Sequence, residues 1–185
     1  MKITVFGGTG RIGAELVRLL REGGHEALSA SMSTGVDVMC AEHVARALEG
    51  ADVVVDVTAP RARDADALRF HVRSMRQVCL AALEAGVRHV VILSAVGADR
   101  LVLSDFFLAK LCQESVLRTS KLPFTIVRTA PLYETLYRIV DEETGEDCVI
   151  SVPPFEMRPA AAADVAQVVF EAVTSDALNG VIEVG

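Results

Sequence analysis

The residues best suited to chemistry stand at the start of the chain, in the run Gly7-Gly8-Thr9-Gly10-Arg11-Ile12-Gly13. Gly8 to Gly13 satisfies G-x-G-x-x-G, and Gly7 to Gly13 satisfies G-x-x-G-x-x-G. Glycines at these spacings permit a tight turn, let backbone amides at a helix start approach a pyrophosphate, and let that helix lie close to the sheet. Alone, the pattern is weak. Here it follows the strand-like run Lys2 to Phe6 and precedes Ile12, Leu16, Leu19 and Leu20, which have helical spacing. Strand, glycine turn and helix together point to dinucleotide binding, with Gly7, Thr9, Gly10, Arg11 and Ile12 as candidate cofactor residues.

NAD-binding versions place an acidic residue roughly 20 positions on, where it takes the ribose hydroxyls. The corresponding stretch here, Leu28-Ser29-Ala30-Ser31-Met32-Ser33-Thr34, holds no carboxylate. A 2′-phosphate would meet no repulsion there, and Ser31, Ser33, Thr34 and Arg11 offer hydroxyls and a guanidinium to bind it. NADP is therefore expected over NAD. The same serines also suit a turn before Gly35, and propensity does not separate the two roles. Asp37 could accept a hydrogen bond from an adenine amino group or cap a turn, the commoner role. Further on, Val57-Thr58-Ala59-Pro60, Ser94-Ala95-Val96-Gly97 and Thr129-Ala130-Pro131 each follow an apolar run with small residues that leave space for a flat ring system.

The elements that must position these residues alternate. Strands are expected at Lys2 to Phe6, Glu26 to Ala30, Ala51 to Val57, His89 to Leu93, Phe124 to Arg128 and Val181 to Val184. Helices are expected at Ile12 to Arg21, Ala41 to Leu48, Asp64 to Ala85, Asp105 to Thr119 and Ala163 to Val173. A weaker helix at Tyr133 to Val140, an acidic loop at Asp141 to Asp147 and a short strand at Cys148 to Val152 complete the reading. Parallel strands joined by crossover helices give an α/β doubly wound parallel sheet, the Rossmann fold. The chain, 185 residues long, reads as one dinucleotide-binding domain over 1–185 with a short substrate-side segment at its C-terminus. Ligands of such sheets sit beyond the carboxyl ends of the strands, so the residues just after each strand carry the information.

Hydrophobic residues make up 51% of the chain, enough for a substantial core, and the formal charge of −7 argues against nucleic acid or anionic membrane as a partner. No run reaches the apolar length of a membrane-spanning helix, and the first residues, Met1 to Phe6, read as a strand, so no secretory leader is expected. A cytoplasmic, reducing location is expected. Cys40, Cys79, Cys112 and Cys148 form no C-x-x-C pair and read as buried free thiols.

These motifs resemble the atypical short-chain dehydrogenase/reductases, and among them the NmrA-like NAD(P)-binding proteins. The likeness runs through Gly7 to Gly13, Val55-Asp56-Val57-Thr58, Gly86-Val87-Arg88-His89, Leu93 to Gly97, Phe124 to Arg128 and Pro159 to Ala166. Active members pair a serine after the fourth strand with Tyr-x-x-x-Lys on the next helix, the tyrosine passing the proton and the lysine holding the nicotinamide ribose. Ser94 and Lys110 occupy matching places and are the catalytic candidates that the resemblance implies. The tyrosine position, however, is Phe106, and a phenyl ring donates no proton. The resemblance therefore leaves two routes. One is hydride transfer to a quinone-like or otherwise conjugated small molecule that collects its proton from water. The other is a non-catalytic, nucleotide-sensing regulator with a protein partner. Tyr133 and Tyr137 could return a phenol to the pocket.

The remaining signals are weaker. Arg69, Arg73 and Arg76 share one face of the long helix and, with Arg61 and Arg63, read as solvated. His25, His43, His71 and His89 lack metal-ligand spacing, so no metal site is expected. The long helix and the one beginning at Asp105 carry apolar stripes that suit either the sheet or a homodimer.

Overall fold

A β-branched strand with apolar residues on both faces is stable only when helices cover it on both sides. The computed structural model, which describes residues 1–60, 65–136 and 158–185, meets that requirement. Its strands are β1 (Lys2–Phe6), β2 (Glu26–Ala30), β3 (Val53–Asp56), β4 (His89–Ala95), β5 (Phe124–Thr129) and β6 (Gly180–Val184). Its helices are α1 (Arg11–Glu22), α2 (Ala41–Leu48), α3 (Ala65–Glu84), α4 (Asp105–Thr119) and α5 (Ala162–Thr174). All strand pairs are parallel, in the order β2-β1-β3-β4-β5-β6. Connections leave β1 in one direction toward β2 and return past it to β3, so the switch-point crevice opens at the carboxyl ends of β1 and β3. The chain is thus a single doubly wound α/β domain.

Alternation along the strands divides the core in two. Phe6, Val54, Val90, Ile92 and Ile126 face Val44, Leu48, Met75, Val78 and Leu117 from α2, α3 and α4. Ile3, Val5, Val55, Val91 and Val127 face Leu16, Leu20, Val165 and Val169 from α1 and α5. No helix among the described residues is long and apolar enough to cross a membrane.

The structure corrects several boundaries. β3 is shorter than the Ala51 to Val57 run, and β4 extends two residues past Leu93, so Ser94 lies within the strand instead of after it. Of the expected helix at Tyr133, the described residues 133–136 are helical. The acidic loop, the strand at Cys148, Tyr137, Arg61 and Arg63 lie outside the described residues. Among the thiols, Cys79 is buried while Cys40 and Cys112 are partly exposed. Burial pushes the Cys79 thiol up to about 11, leaving it protonated and inert.

His71 carries a stability prediction. It is 2% exposed on α3, and its buried Nδ1 has no hydrogen-bond partner. Burial, aided by the charge of Lys110, holds its pKa down to about 2. The folded protein keeps the ring neutral while the unfolded chain protonates it below an ordinary pKa of about 6.5. Stability therefore falls as pH drops through that value, by about 1.4 kcal/mol per pH unit from this group. Burial lowers His89 in the same direction. Denaturant melts between pH 6.5 and 5 should show this slope in the native protein and a clearly smaller one in His71→Leu; equal slopes would contradict the assignment.

Candidate functional site

The glycine turn is built by close approaches that exclude side chains. Gly7 adopts φ +80°, and a Cβ there would lie 2.9 Å from the Val57 carbonyl oxygen and 3.0 Å from the Thr58 nitrogen. A Cβ on Gly8 would meet Ser29 Oγ at 2.6 Å, and one on Gly13 would meet the Gly7 carbonyl oxygen at 2.2 Å. The turn is closed by Gly7 N–H donating to Ala30 O (2.8 Å) and Gly10 N–H to Gly7 O (2.9 Å). Gly10 caps α1 without a side-chain hydrogen bond, and the first turn holds no acidic residue. The amides of Arg11, Ile12 and Gly13, the first three of the helix, have no intrahelical acceptor, so the positive end of α1 opens toward the switch-point crevice.

Beside it, the expected hydroxyls of Ser31 and Ser33 meet that of Thr9 from the glycine turn. Thr9 Oγ1 donates to Ser31 Oγ (2.9 Å), Ser33 Oγ donates to Thr9 Oγ1 (3.1 Å), and the two serine oxygens lie 3.0 Å apart. Thr34 Oγ1 accepts from Ser31 N–H at 2.9 Å and so fixes the short 3-10 turn Met32–Thr34 that presents the group. Arg11 is exposed at the start of α1. Asp37 accepts from Met39 N–H at 2.8 Å, which is the turn-capping role.

The main chain of Val57 and Thr58 lies against Gly7, and a buried polar network sits behind it. Asp56, fully buried at the end of β3, accepts from Thr58 N–H (2.9 Å) and Thr58 Oγ1 (2.6 Å) through one oxygen and from Gln113 Nε2 (3.0 Å) through the other. Lys110 is 7% exposed; its Nζ donates to Leu93 O (3.0 Å) and Gln113 Oε1 (3.1 Å). Burial lowers the Lys110 pKa to about 8 against the opposing pull of Asp56 and Glu114. Burial raises Asp56 in turn, opposed by its hydrogen bonds and by Lys110.

Ser94 belongs to a second branch. Its Oγ donates to Glu114 at 2.6 Å, and Glu114 accepts Arg128 Nε and Nη2, both at 2.9 Å. Arg128 also reaches Asp99 at 2.9 Å and Glu183 at 3.4 Å, and Glu114 foremost, with Asp99 and Glu183, holds its pKa above the ordinary value against the cost of burial. The polar atoms of Ser94 and Lys110 thus point into the interior. Phe106 is 38% exposed and packs edge-on against Phe107, with their ring centroids 5.2 Å apart. Tyr133 is exposed beyond β5.

Sequence reasoning did not single out Gln113, Glu114, Arg128 or the role of Asp56. Arg128 inside an otherwise buried strand was the available signal, because a buried guanidinium demands carboxylate partners. A concavity of about 600 Å³ along β6 and α5, lined by Thr125, Val168, Ala172 and Ile182, lies away from the glycine turn.

The model of the family described as NAD(P)H-binding matches residues 7–176. The chain belongs to this family. Membership extends from the glycine turn past α5, so it takes in every element of the site just described. The fold is shared with three solved structures, each aligned over all of this chain. A nucleoside-diphosphate-sugar epimerase from Staphylococcus aureus aligns over 71% of its own length at 16% identity, with a TM-score of 0.82. A dTDP-4-dehydrorhamnose reductase from Clostridium acetobutylicum aligns over 74% at 19% identity, TM-score 0.77. A short-chain dehydrogenase/reductase superfamily protein from Agrobacterium tumefaciens, with bound NAD, aligns over 77% at 19% identity, TM-score 0.80. At these identities the likeness is one of fold. No match is found among curated protein sequences.

Proposed function

We propose that this NAD(P)H-binding protein is an NADP(H)-dependent reductase of the atypical short-chain type, acting on a small conjugated or quinone-like acceptor. Phe106 carries the reading. Where the resemblance places a proton-donating tyrosine stands an exposed phenyl ring, in a segment that also exposes Leu101, Val102 and Leu103. Such a border suits a flat apolar acceptor and gives it no proton. The bound, reduced cofactor supplies a hydride, and a quinone that accepts it becomes a hydroquinone by taking one proton from water.

In this reading the α1 amides, with Gly7, Thr9, Gly10, Arg11 and Ile12, hold the diphosphate. The turn fits that role because Gly7, Gly8 and Gly13 leave no room for a side chain, so the amides opening α1 are uncovered. Val57, Thr58 and Ala59 border the rings, Ser31 and Ser33 with Arg11 take the 2′-phosphate, and Asp37 shapes the loop beside them. Ser94 and Lys110 brace the site from within. The test is NADPH incubated with a panel of quinones, enones and aldehydes. Cofactor oxidation above background with quinones or enones supports the reductase; tight binding without turnover of any acceptor supports a nucleotide-sensing regulator instead.

The hydroxyl group of Thr9, Ser31 and Ser33 favours NADPH over NADH. Charge-assisted hydrogen bonds to a phosphate contribute roughly 1.5–3 kcal/mol, which corresponds to about a tenfold to hundredfold difference in Kd. Ser31→Asp should abolish or invert that preference in a fluorescence titration. Equal constants in the native protein would refute it.

A further inference from the structure

We propose that Lys110, Gln113 and Asp56 form a positioning relay that runs from α4 to the wall of the dinucleotide site and sets the affinity of that site. The relay is continuous in the structure. Lys110 Nζ donates to Gln113 Oε1 (3.1 Å), and Gln113 Nε2 donates to Asp56 Oδ2 (3.0 Å). Asp56 Oδ1 holds the amide and hydroxyl of Thr58 at 2.9 and 2.6 Å. Thr58 N lies 3.0 Å from the point where a Cβ on Gly7 would sit, so the far end of the relay touches the glycine turn itself. Asp56 pairs in register with Phe6, the last residue of β1 before that turn. Asp56, Gln113 and Lys110 are all buried, which removes water as a competing partner.

The chemistry of the ends gives the relay its direction. Three donors converge on the Asp56 carboxylate, and a buried carboxylate needs a compensating charge nearby. Lys110 supplies it through Gln113. The charged or titratable groups facing Lys110 are Asp56 from β3, His71 from α3 and Glu114 from its own helix. His71 stays neutral in this environment, with a pKa near 2. Burial brings Lys110 to about 8, and its charge opposes the rise that burial imposes on Asp56; above that pH Asp56 loses this compensation, is driven toward its protonated form and holds Thr58 more weakly. Lys110 thus acts on the cofactor through the wall, as a positioning residue.

The inference rests on the dinucleotide reading of the glycine turn, and the experiment separates the two. NADPH affinity is measured by calorimetry between pH 7 and 9.5 for the native protein, Gln113→Leu and Lys110→Met, with circular dichroism reporting that each is folded. The native protein should lose roughly five- to tenfold in affinity across the range. Gln113→Leu, which severs the relay, should bind about tenfold more weakly at pH 7. Lys110→Met, which removes the titrating group, should bind as weakly and lose the pH dependence, and it carries the test if Gln113→Leu does not fold. Native affinity and pH profile in a folded variant would overturn the relay while leaving the cofactor reading intact. Absence of NADPH binding to the native protein would remove both.

Discussion

Gly13→Ala will cost at least about 100-fold in NADPH affinity, roughly 2.7 kcal/mol of binding free energy. The new Cβ would stand 2.2 Å from the Gly7 carbonyl oxygen, 2.8 Å from its carbonyl carbon and 2.9 Å from Gly8 Cα. All three are main-chain atoms of the turn, so no flexible side chain can yield. The turn must move away from α1, and the amides at the helix start then lose their common aim. Overpacking of this kind should also lower stability by about 1–3 kcal/mol. Gly24→Ala is the control. A Cβ at Gly24 meets nothing within 4 Å, but its φ of +78° is strained for alanine. It should lose about 1 kcal/mol of stability and keep its affinity. Isothermal titration with denaturant melts on both variants checks the pair, and equal affinities would show that the close approach does not matter for binding.

Glu114→Ala will destabilise the fold by roughly 3–5 kcal/mol, the cost of leaving a buried charge without its partner. Glu114 is 1% exposed and takes the Nε and Nη2 donors of the Arg128 guanidinium as well as the Ser94 hydroxyl. Asp99 and Glu183 contact Arg128 from half-exposed positions and cannot substitute for the lost bidentate pair. The melting temperature should fall by about 6–20 °C for a chain of this size. The double variant Glu114→Leu/Arg128→Met should recover most of that loss, because it removes both charges together. Calorimetric melts decide it: a single variant within about 1 kcal/mol of the native protein would mean that the outer carboxylates carry the arginine.

The fold was legible because its signals are periodic. Alternating β-branched runs and helical stripes determine a doubly wound sheet, and Gly7 to Gly13 marks where its first strand meets its first helix. Ser31, Ser33 and Thr34 were named from their hydroxyls; that Thr9 joins Ser31 and Ser33 follows from β2 pairing with β1, which the sequence did not state. The polar face of α4 was not legible. Helical periodicity assigns apolar residues to the sheet, yet Lys110, Gln113 and Glu114 point inward, at spacings of three and four residues, while Phe106 is partly exposed. Those side chains are buried because Asp56, Ser94 and Arg128 project from three different strands toward them. Such partners are distant in sequence, so spacing along one helix cannot reveal them. The resemblance assigned Ser94 and Lys110 to the reacting centre, whereas the structure shows their polar atoms bonded within this network.

The central claim is that main-chain amides opening α1 cradle the diphosphate of the cofactor. Residue-resolved amide NMR during a titration with NADPH tests it most directly. The resonances of Arg11, Ile12 and Gly13 should move strongly and saturate with the nucleotide, while those of β6 stay in place. Saturable binding that leaves these three amides unmoved, or no binding at all, would contradict the account.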